Sequence, residues 1–173
     1  MASLSLPALV SVGGTFNCQY NPALASLSLP ALASVGSSFN CYSNPALASL
    51  SLPVLASVGG NFNCNSNATL ASLSLPALTS LGGNFHCSDN SALASLSLPA
   101  LASVAVGGSS FNCQFNAMPS ATINSLLSTL VAISPALVGK TIYLYGHIPP
   151  APPTGPGIVD KATLEVNNNV YTD

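Results

Sequence analysis

The chain has 173 residues, of which 3% are charged and 49% hydrophobic, and its formal net charge is -2. No charged residue precedes Asp89, so nucleic acids and anionic membranes lack the basic surface that they usually bind, and we expect no nucleic-acid partner. The length allows one domain with a sizeable core, and Ser, Asn or Pro interrupts every apolar run before the ~18 residues that a membrane-spanning helix needs.

The first residues carry no recognisable secretory signal. Met1 leads into Ala-Ser-Leu-Ser-Leu-Pro, which lacks a basic segment and a continuous apolar segment. We therefore expect a protein that is assembled from a cytoplasm, as virion parts are, or one that is exported by a signal of another kind.

About two thirds of the chain repeats one unit of 23 residues. A proline marks the same position in every unit: Pro7, Pro30, Pro53, Pro76 and Pro99. A cysteine recurs with the same step up to Cys87, and Cys113 follows after 26 residues because three residues are inserted between Ala105 and Ser110. A fixed period of this length predicts a solenoid, in which the insertion should form a loop.

The unit from Asn44 to Cys64 predicts two short strands per turn. Apolar and polar residues alternate in Leu50-Ser-Leu52 and again in Phe62-Asn-Cys64, which places the apolar side chains on one face. Pro53 should end the first strand, and Gly59-Gly60 should form the turn into the second. One unit is too small to fold alone, so the turns must stack at the ~4.8 Å strand spacing.

Stacked units predict a mainly β fold, a right-handed parallel solenoid of about five turns over residues 1–116. The pattern Leu-x-x-Leu-x-Leu in each unit resembles leucine-rich repeats, and Ser57-Val-Gly-Gly-Asn-Phe62 resembles their receptor-L-domain-like and bacterial surface-protein variants. The recurring asparagines of such repeats have counterparts here at Asn21, Asn44, Asn67, Asn90 and Asn116. The resemblance implies a leucine-rich-repeat-like solenoid and leaves the function open, since such repeats serve many unrelated binding roles.

Two internal columns of side chains are expected along the solenoid. The phenylalanines should stack through the interior at Phe16, Phe39, Phe62, Phe85 and Phe111. The five cysteines share the same strand face, which predicts buried and mostly reduced thiols that pack as small hydrophobic groups. A disulfide between adjacent turns stays an alternative, whereas the spacing lacks the paired C-x-x-C pattern of zinc sites.

Two outward rows of polar side chains are candidate binding ladders. One row consists of Ser28, Ser51, Ser74 and Ser97, and the other of Asn40, Asn63, His86 and Asn112. Such regular, uncharged groups suit a glycan, an ice-like lattice or a partner protein, or they only solvate a β-surface. The side chains of Asn44, Asn67 and Asn90 should instead bond the backbone at the turns.

The sequence does not predict catalysis. His86, Ser88 and Asp89 include the three residue types of a hydrolase triad, but a triad is recognised by spatial roles, and drift within the repeat explains these residues better. The chain shows no paired carboxylates, Cys-His couple, phosphate-binding loop or metal-ligand cluster. We therefore expect a protein that is not an enzyme and needs no cofactor.

Residues 117–173 predict a C-terminal α/β cap. A helix should begin at Pro119 or Ser120, and its apolar side should consist of Ile123, Leu126, Leu127, Leu130 and Val131. The alternation from Lys140 to Gly146 predicts a strand that joins the sheet beside the strand containing Phe111.

The end of the chain carries a second resemblance. A stiff proline-rich loop is expected from His147 to Gly157, followed by a helix from Ile158 and a strand from Val170. The segment Pro152-Pro-Thr-Gly-Pro-Gly-Ile-Val-Asp-Lys-Ala-Thr-Leu-Glu165 resembles the C-terminal caps of leucine-rich-repeat proteins from phages and phage-like bacterial genes. The usual Gly-Trp-x-Val ending of such caps is replaced here by Asn-Asn-Val-Tyr. The resemblance implies a virion protein.

The first turn supplies a candidate assembly interface. No capping sequence is visible before its apolar residues, which are Leu4, Leu6, Leu9 and Val12. Open strand edges beside an apolar face recruit other strand-bearing surfaces. We expect a non-catalytic phage virion protein, such as a fibre, tail-tip or head-decoration subunit, whose partners are other virion proteins or copies of itself. The alternative is an extracellular bacterial adhesin or glycan-binding module that recognises a host glycan or receptor.

Overall fold

The computed structural model describes residues 2–105, 110–134 and 136–173. The described chain folds as a parallel β-solenoid of about five turns, followed by two short helices and two further strands near the C-terminus. This confirms the predicted mainly β solenoid with its α/β cap. Residues 106–109, where the inserted residues were expected to form a loop, lie outside the described residues.

Each turn contributes three short strands. The first strands are β1 (Ala2–Ser5), β4 (Leu24–Ser28), β7 (Ser49–Ser51), β10 (Ser72–Ser74) and β13 (Ser95–Ser97). The second strands are β2 (Ser11–Val12), β5 (Ser34–Val35), β8 (Ser57–Val58), β11 (Ser80–Leu81) and β14 (Ser103–Val104). The third strands are β3 (Phe16–Asn17), β6 (Phe39–Asn40), β9 (Phe62–Asn63), β12 (Phe85–His86) and β15 (Ser110–Asn112).

All described strand pairs are parallel, and the strands of the solenoid pair with their equivalents in adjacent turns, except that the first strands form two separate sheets, β1-β4-β7 and β10-β13. The third strands form a seven-stranded sheet that continues from β15 into β16 (Thr141–Leu144) and β17 (Asn169–Thr172). The register places identical residues side by side, for example Leu27 beside Leu50 and Phe39 beside Phe62. The 23-residue period is therefore the length of one turn.

The structure contains one strand per turn that the sequence pattern does not predict. In the central turn this is β8, which has only two residues. A two-residue strand with one apolar side chain produces no alternation, so its periodicity cannot reveal it. Backbone hydrogen bonds to the preceding turn hold it in place: Ala56 N donates to Ala33 O and Gly59 N donates to Val35 O, both at 2.8 Å.

Glycine follows this strand because adjacent turns touch there through their backbones. A Cβ atom on Gly59 would lie 2.3 Å from the carbonyl oxygen of Gly36, and one on Gly82 would lie 2.1 Å from that of Gly59. Protein interiors are packed too densely to absorb such an overlap without moving the backbone. The glycine thus serves the contact between turns as well as the bend that was predicted at Gly59-Gly60.

The interior of the solenoid consists of columns of identical side chains. The phenylalanine column is confirmed: the rings of successive turns are stacked, with centroid distances of 5.1, 5.1, 5.3 and 4.8 Å. Phe39, Phe62 and Phe85 are fully buried, and the five cysteines are buried as well. Leucine columns such as Leu29, Leu52 and Leu75 complete the core.

The cap closes the last turn with helices and an extension of the sheet. Helix α1 (Ser120–Val131) begins after Pro119, as predicted, and contacts β13 and α2 (Pro156–Glu165). Four of its five predicted apolar residues are buried, and Val131 is half-buried. The predicted strands in the cap are β16 and β17, and Ile142 and Leu144 of β16 are fully buried. Helix α2 begins two residues earlier than predicted because Pro156 occupies its first turn.

Two side chains fasten the proline-rich loop to the rest of the cap. The carboxylate of Asp173 accepts hydrogen bonds from the backbone amides of Gly146 (2.6 Å), His147 (3.2 Å) and Ala151 (3.1 Å). The Asn124 side chain of α1 donates to Thr154 Oγ1 (2.9 Å) and accepts from Thr154 N (3.0 Å). These bonds satisfy backbone groups that an irregular loop cannot pair with itself.

Candidate functional site

The predicted assembly residues lie on a face of the first turn that is only half covered. Leu4, Leu6, Leu9 and Val12 contact the core but remain half-buried. Their equivalents in the second turn, Leu27, Leu29, Leu32 and Val35, are at most 1% exposed. Neighbouring Val10 is 60% exposed. Within the described residues, the three strands of this turn pair on one side only.

The predicted serine row lies along the first strands in two paired parts, one in the sheet β1-β4-β7 and one in the sheet β10-β13. Ser28 lies beside Ser51, and Ser74 lies beside Ser97, in register across the turns. The first two residues are half-buried, and the other two are exposed. The row therefore becomes more accessible toward the cap.

The side chains of the second row make hydrogen bonds within the protein. The amide of Asn40 donates to Asn17 Oδ1 and accepts from the amide of Asn63, both at 2.7 Å. His86 Nε2 lies 3.0 Å from Ser110 Oγ, and Asn112 Oδ1 accepts from Gln114 N at 3.1 Å. These contacts engage several of the groups that the sequence suggested as ligand-binding, so this row stabilises the surface of the sheet.

The three residue types of a hydrolase triad do not form one. His86 bonds Ser110 rather than Ser88, Ser88 is buried, and Asp89 is exposed at a turn. Burial lowers the pKa of His86, which keeps its ring neutral near pH 7. Catalysis by these residues has no geometric support.

The internal asparagine ladder bonds the backbone, as predicted. Asn44 Nδ2 donates to the carbonyl oxygens of Cys18 (3.0 Å) and Cys41 (3.2 Å), while its Oδ1 accepts from Asn21 N (2.8 Å). The same arrangement recurs in the following turns at Asn67, Asn90 and Asn116. Each amide thus satisfies three buried backbone groups of two adjacent turns.

The cysteines form a buried column of free thiols. A hydrogen bond to the Cys18 sulfur and burial together raise the pKa of Cys41, and burial raises that of Cys113 well above its usual range. The same Cys41 thiol lowers the pKa of Cys18 to about 7. Among the described residues, no group of three or more His, Cys, Asp and Glu side chains is placed to hold a metal ion.

A cavity at the junction of solenoid and cap was not predicted from the sequence. It has a volume of about 480 Å³ and is lined by Asp89, Ser91, Phe115, Asn116, Gly146 and Ile148. It is larger than the shallow groove of about 330 Å³ that crosses the second strands. The only sequence signal for this cavity was that Asp89 and Phe115, a charged and an aromatic residue, occupy the same repeat position in successive turns.

His147 is a buried titratable residue between Gly146 and Ile148, which line the cavity. Its side chain is 2% exposed, and within the described residues neither ring nitrogen makes a hydrogen bond of normal geometry. Burial lowers the pKa of His147 and outweighs the Asn116 carbonyl and the Asp173 carboxylate, both of which favour the charged ring. The ring is therefore neutral at pH 7.

Comparison of the chain with protein-family models, curated proteins and solved structures gives no match. The described helices include none with the length and apolar character required to cross a membrane. A functional argument therefore starts from the two surfaces just described, the half-covered face of the first turn and the cavity beside the cap.

Proposed function

We propose that the protein is a non-catalytic structural or receptor-binding component of a bacteriophage virion, a fibre, tail-tip or head-decoration subunit that acts through protein–protein contacts. The observation that carries this proposal is the difference between the two ends of the described solenoid. At one end Leu4, Leu6, Leu9 and Val12 are half-buried beside open strand edges. At the other end, α1, β16 and β17 cover the last turn.

A strand-bearing partner fits the open face for two physical reasons. Unpaired backbone groups of β1, β2 and β3 can continue the parallel ladders that already join the turns. Completing the burial of the four half-covered side chains would contribute roughly 4 kcal/mol, taking about half the value of a fully buried Leu or Val for each. The partner is another virion protein or a second copy of this chain.

The solenoid is proposed to be of the leucine-rich-repeat type, with a phage-type cap. The internal asparagine ladder and the Leu-x-x-Leu-x-Leu pattern support the first assignment. The position of α2 within the segment that resembles phage caps supports the second. A phage cap would place the protein in a virion.

Introducing positive charge on the open face tests the assembly. Val10→Lys is the mildest variant because this side chain is already 60% exposed, and the double variant Leu4→Lys with Leu6→Lys is the stronger one. Light scattering should show that the wild-type protein forms oligomers or joins a particle and that both variants do not. Circular dichroism would verify that each variant is folded.

A matched control places the same charges on the other end of the molecule. Val159 and Val166 on and beside α2 are 66% and 76% exposed, so their replacement by Lys should leave assembly unchanged. A wild-type protein that stays monomeric at high concentration and is missing from purified virions by mass spectrometry would contradict the proposal. Equal loss of assembly in the control would show that net charge, and not this face, is responsible.

A bacterial cell-surface adhesin or glycan-binding module is the second candidate. It is favoured by the groove across four turns, which is lined by second strands and the glycines after them, such as Ser34, Val35 and Gly36, and which matches an elongated neutral ligand. Retention of the protein on immobilised glycans, unaffected by Val10→Lys, would support this candidate over assembly.

A further inference from the structure

The cavity beside the cap arises where the repeat meets a glycine. One position at the turn after the third strand has a positive φ in every turn, and its occupants are Tyr20, Ser43, Ser66, Asp89 and Phe115. Gly146 follows Phe115 in this row, since Phe115 N donates to Tyr145 O at 3.0 Å, and its φ is 71°. Because Gly146 has no side chain, the Phe115 ring takes the space in which a Cβ atom of residue 146 would lie, and Asp89 precedes Phe115 in the row.

Phe115 covers the backbone of Gly146 and forms an aromatic wall of the cavity. A Cβ atom on Gly146 would lie 2.4 Å from the Phe115 ring, so the ring packs directly on the glycine backbone. The ring of Tyr145 lies next to that of Phe115, with a centroid distance of 5.5 Å in a T-shaped arrangement. Phe115 is 46% exposed and Ile148 is 83% exposed, so the cavity offers apolar surface to a ligand.

Asp89 is the side chain of the cavity wall that remains available for a polar contact. The amide of Asn116 is occupied by Cys87 O, Cys113 O and Asn90 N. The hydroxyl of Ser91 donates to Ala68 O at 3.4 Å. Within the described residues, the carboxylate of Asp89 makes no hydrogen bond or ion pair.

We propose that this cavity binds the guanidinium group of an arginine side chain from a partner protein. The carboxylate of Asp89 accepts two parallel N–H bonds from the guanidinium, which is the geometry that carboxylates and arginine share. The exposed face of Phe115 stacks on the guanidinium plane. Ile148 covers the aliphatic stem of the arginine, which leaves its charge at the carboxylate.

The charge distribution of the chain agrees with a cationic ligand. Asp89 is the only charged residue among the first 116, and Asp173 holds the backbone on the other side of Gly146. The two lysines lie elsewhere: Lys161 pairs with Glu165 and Lys140 bonds the Ala105 carbonyl. No fixed positive charge from the described residues therefore lines the cavity.

Other ligand classes fit less well. A saccharide needs several hydrogen-bonding partners, and the cavity has one available side chain for this purpose. A lysine ammonium carries a point charge that neither stacks on a ring plane nor matches both carboxylate oxygens at once. The proposal depends on the protein–protein function above only for the source of the guanidinium, and the cavity can be tested without any partner.

The test uses N-acetyl-arginine amide as the probe and the full chain labelled for NMR. Titration should shift the resonances of Phe115 and Ile148 at millimolar probe concentration. In Asp89→Asn the affinity should fall about tenfold or more, because the charge-assisted pair is lost. Asparagine tolerates the positive φ of 59° at this position, so the variant keeps the turn.

The control variant is Asp160→Asn, which removes the same charge from α2, outside the cavity wall. It should bind the probe as the wild-type protein does. Equal binding by Asp89→Asn, equal loss in Asp160→Asn, equal affinity for N-acetyl-lysine amide, or no shift of Phe115 would each overturn the proposal. The NMR titration and the light-scattering experiment test different surfaces. A negative titration would not contradict assembly through the first turn, and a negative light-scattering result would not contradict binding in this cavity.

Discussion

At the scale of single residues, the glycine backbones of adjacent turns lie so close together that no side chain fits between them. Gly59→Ala would place a Cβ atom 2.3 Å from the Gly36 carbonyl oxygen. We expect the free energy of unfolding to fall by roughly 1–3 kcal/mol, the usual effect of overpacking. Urea denaturation followed by circular dichroism measures it.

The matched control is Gly13→Ala at the same repeat position of the first turn. Nothing lies within 4 Å of a Cβ atom there, and its φ is not in the left-handed region. Its unfolding free energy should be unchanged or slightly raised, because alanine restricts the unfolded chain. Equal destabilisation of both variants would show that the contact between turns is not the cause.

A second residue-scale prediction concerns His147 and pH. Burial lowers the pKa of His147 in the folded protein below its ordinary value of 6.5, which applies to the unfolded chain. At a pH between the folded-state and unfolded-state pKa values, the unfolded chain therefore binds a proton that the folded chain does not. The stabilising effect of the neutral ring is complete above 6.5 and is lost as the pH falls through the folded-state pKa. We expect a lower free energy of unfolding at pH 5.5 than at pH 7.5.

The measurement belongs in a His86→Asn background, because burial also lowers the pKa of His86. His147 is then the single histidine of the chain. Adding His147→Gln should remove most of the difference between pH 7.5 and pH 5.5. A pH dependence that persists in full would rule out His147 as its source.

At the scale of elements, helix α1 connects the cap to the solenoid. The side chain of Asn124 on this helix also holds the proline-rich loop. Asn124→Ala removes two hydrogen bonds to Thr154, and its side chain also contacts Gly157 at the start of α2. Amide hydrogen exchange at Thr154 and Gly157 should accelerate by about tenfold, which corresponds to about 1.4 kcal/mol. Exchange in the phenylalanine column should not change.

Thr129→Ala serves as the control for this prediction. The Thr129 hydroxyl bonds Ser125 O within the same helix and makes no bond to the loop among the described residues. It should leave exchange at Thr154 and Gly157 at wild-type rates. If both variants accelerate that exchange alike, α1 and not the Asn124 bridge controls the loop.

At the scale of the whole molecule, the stacked turns should open from the half-covered end. Each turn contacts only its neighbours, so stability is a sum of turn and interface contributions. Cys18 is in the first turn, is 7% exposed and has a pKa lowered to about 7, whereas Cys41, Cys64, Cys87 and Cys113 are fully buried. Thiol labelling read by mass spectrometry should modify Cys18 first and the others only during larger openings.

A Cys18→Ala variant verifies the assignment, because its native state should show no early labelling. Rapid modification of all five thiols in the native protein would contradict the buried column. Early modification of Cys113 instead of Cys18 would show that the cap end opens first.

The repetitive features of the fold could be predicted from the sequence, because in a parallel register each turn has the same local structure as the turns beside it. Pro53, Leu50 and Phe62 recur at the same step, so one turn implies all the others. The helix at Ser120 and the strand at Thr141 were also visible, since each has its own periodicity and boundary residues. These properties depend on neighbours that are close in sequence.

The remaining features depend on distances that periodicity does not encode. The strand at Ser57 exists because backbone bonds to two adjacent turns form it, and the Asn40 amide is engaged because Asn17 and Asn63 lie beside it. The cavity exists because Gly146 of the cap falls into the row of Asp89 and Phe115. The sequence by itself determined the repeating turn, while only the tertiary structure decided which polar groups remain available, because hydrogen bonds between turns consume the others.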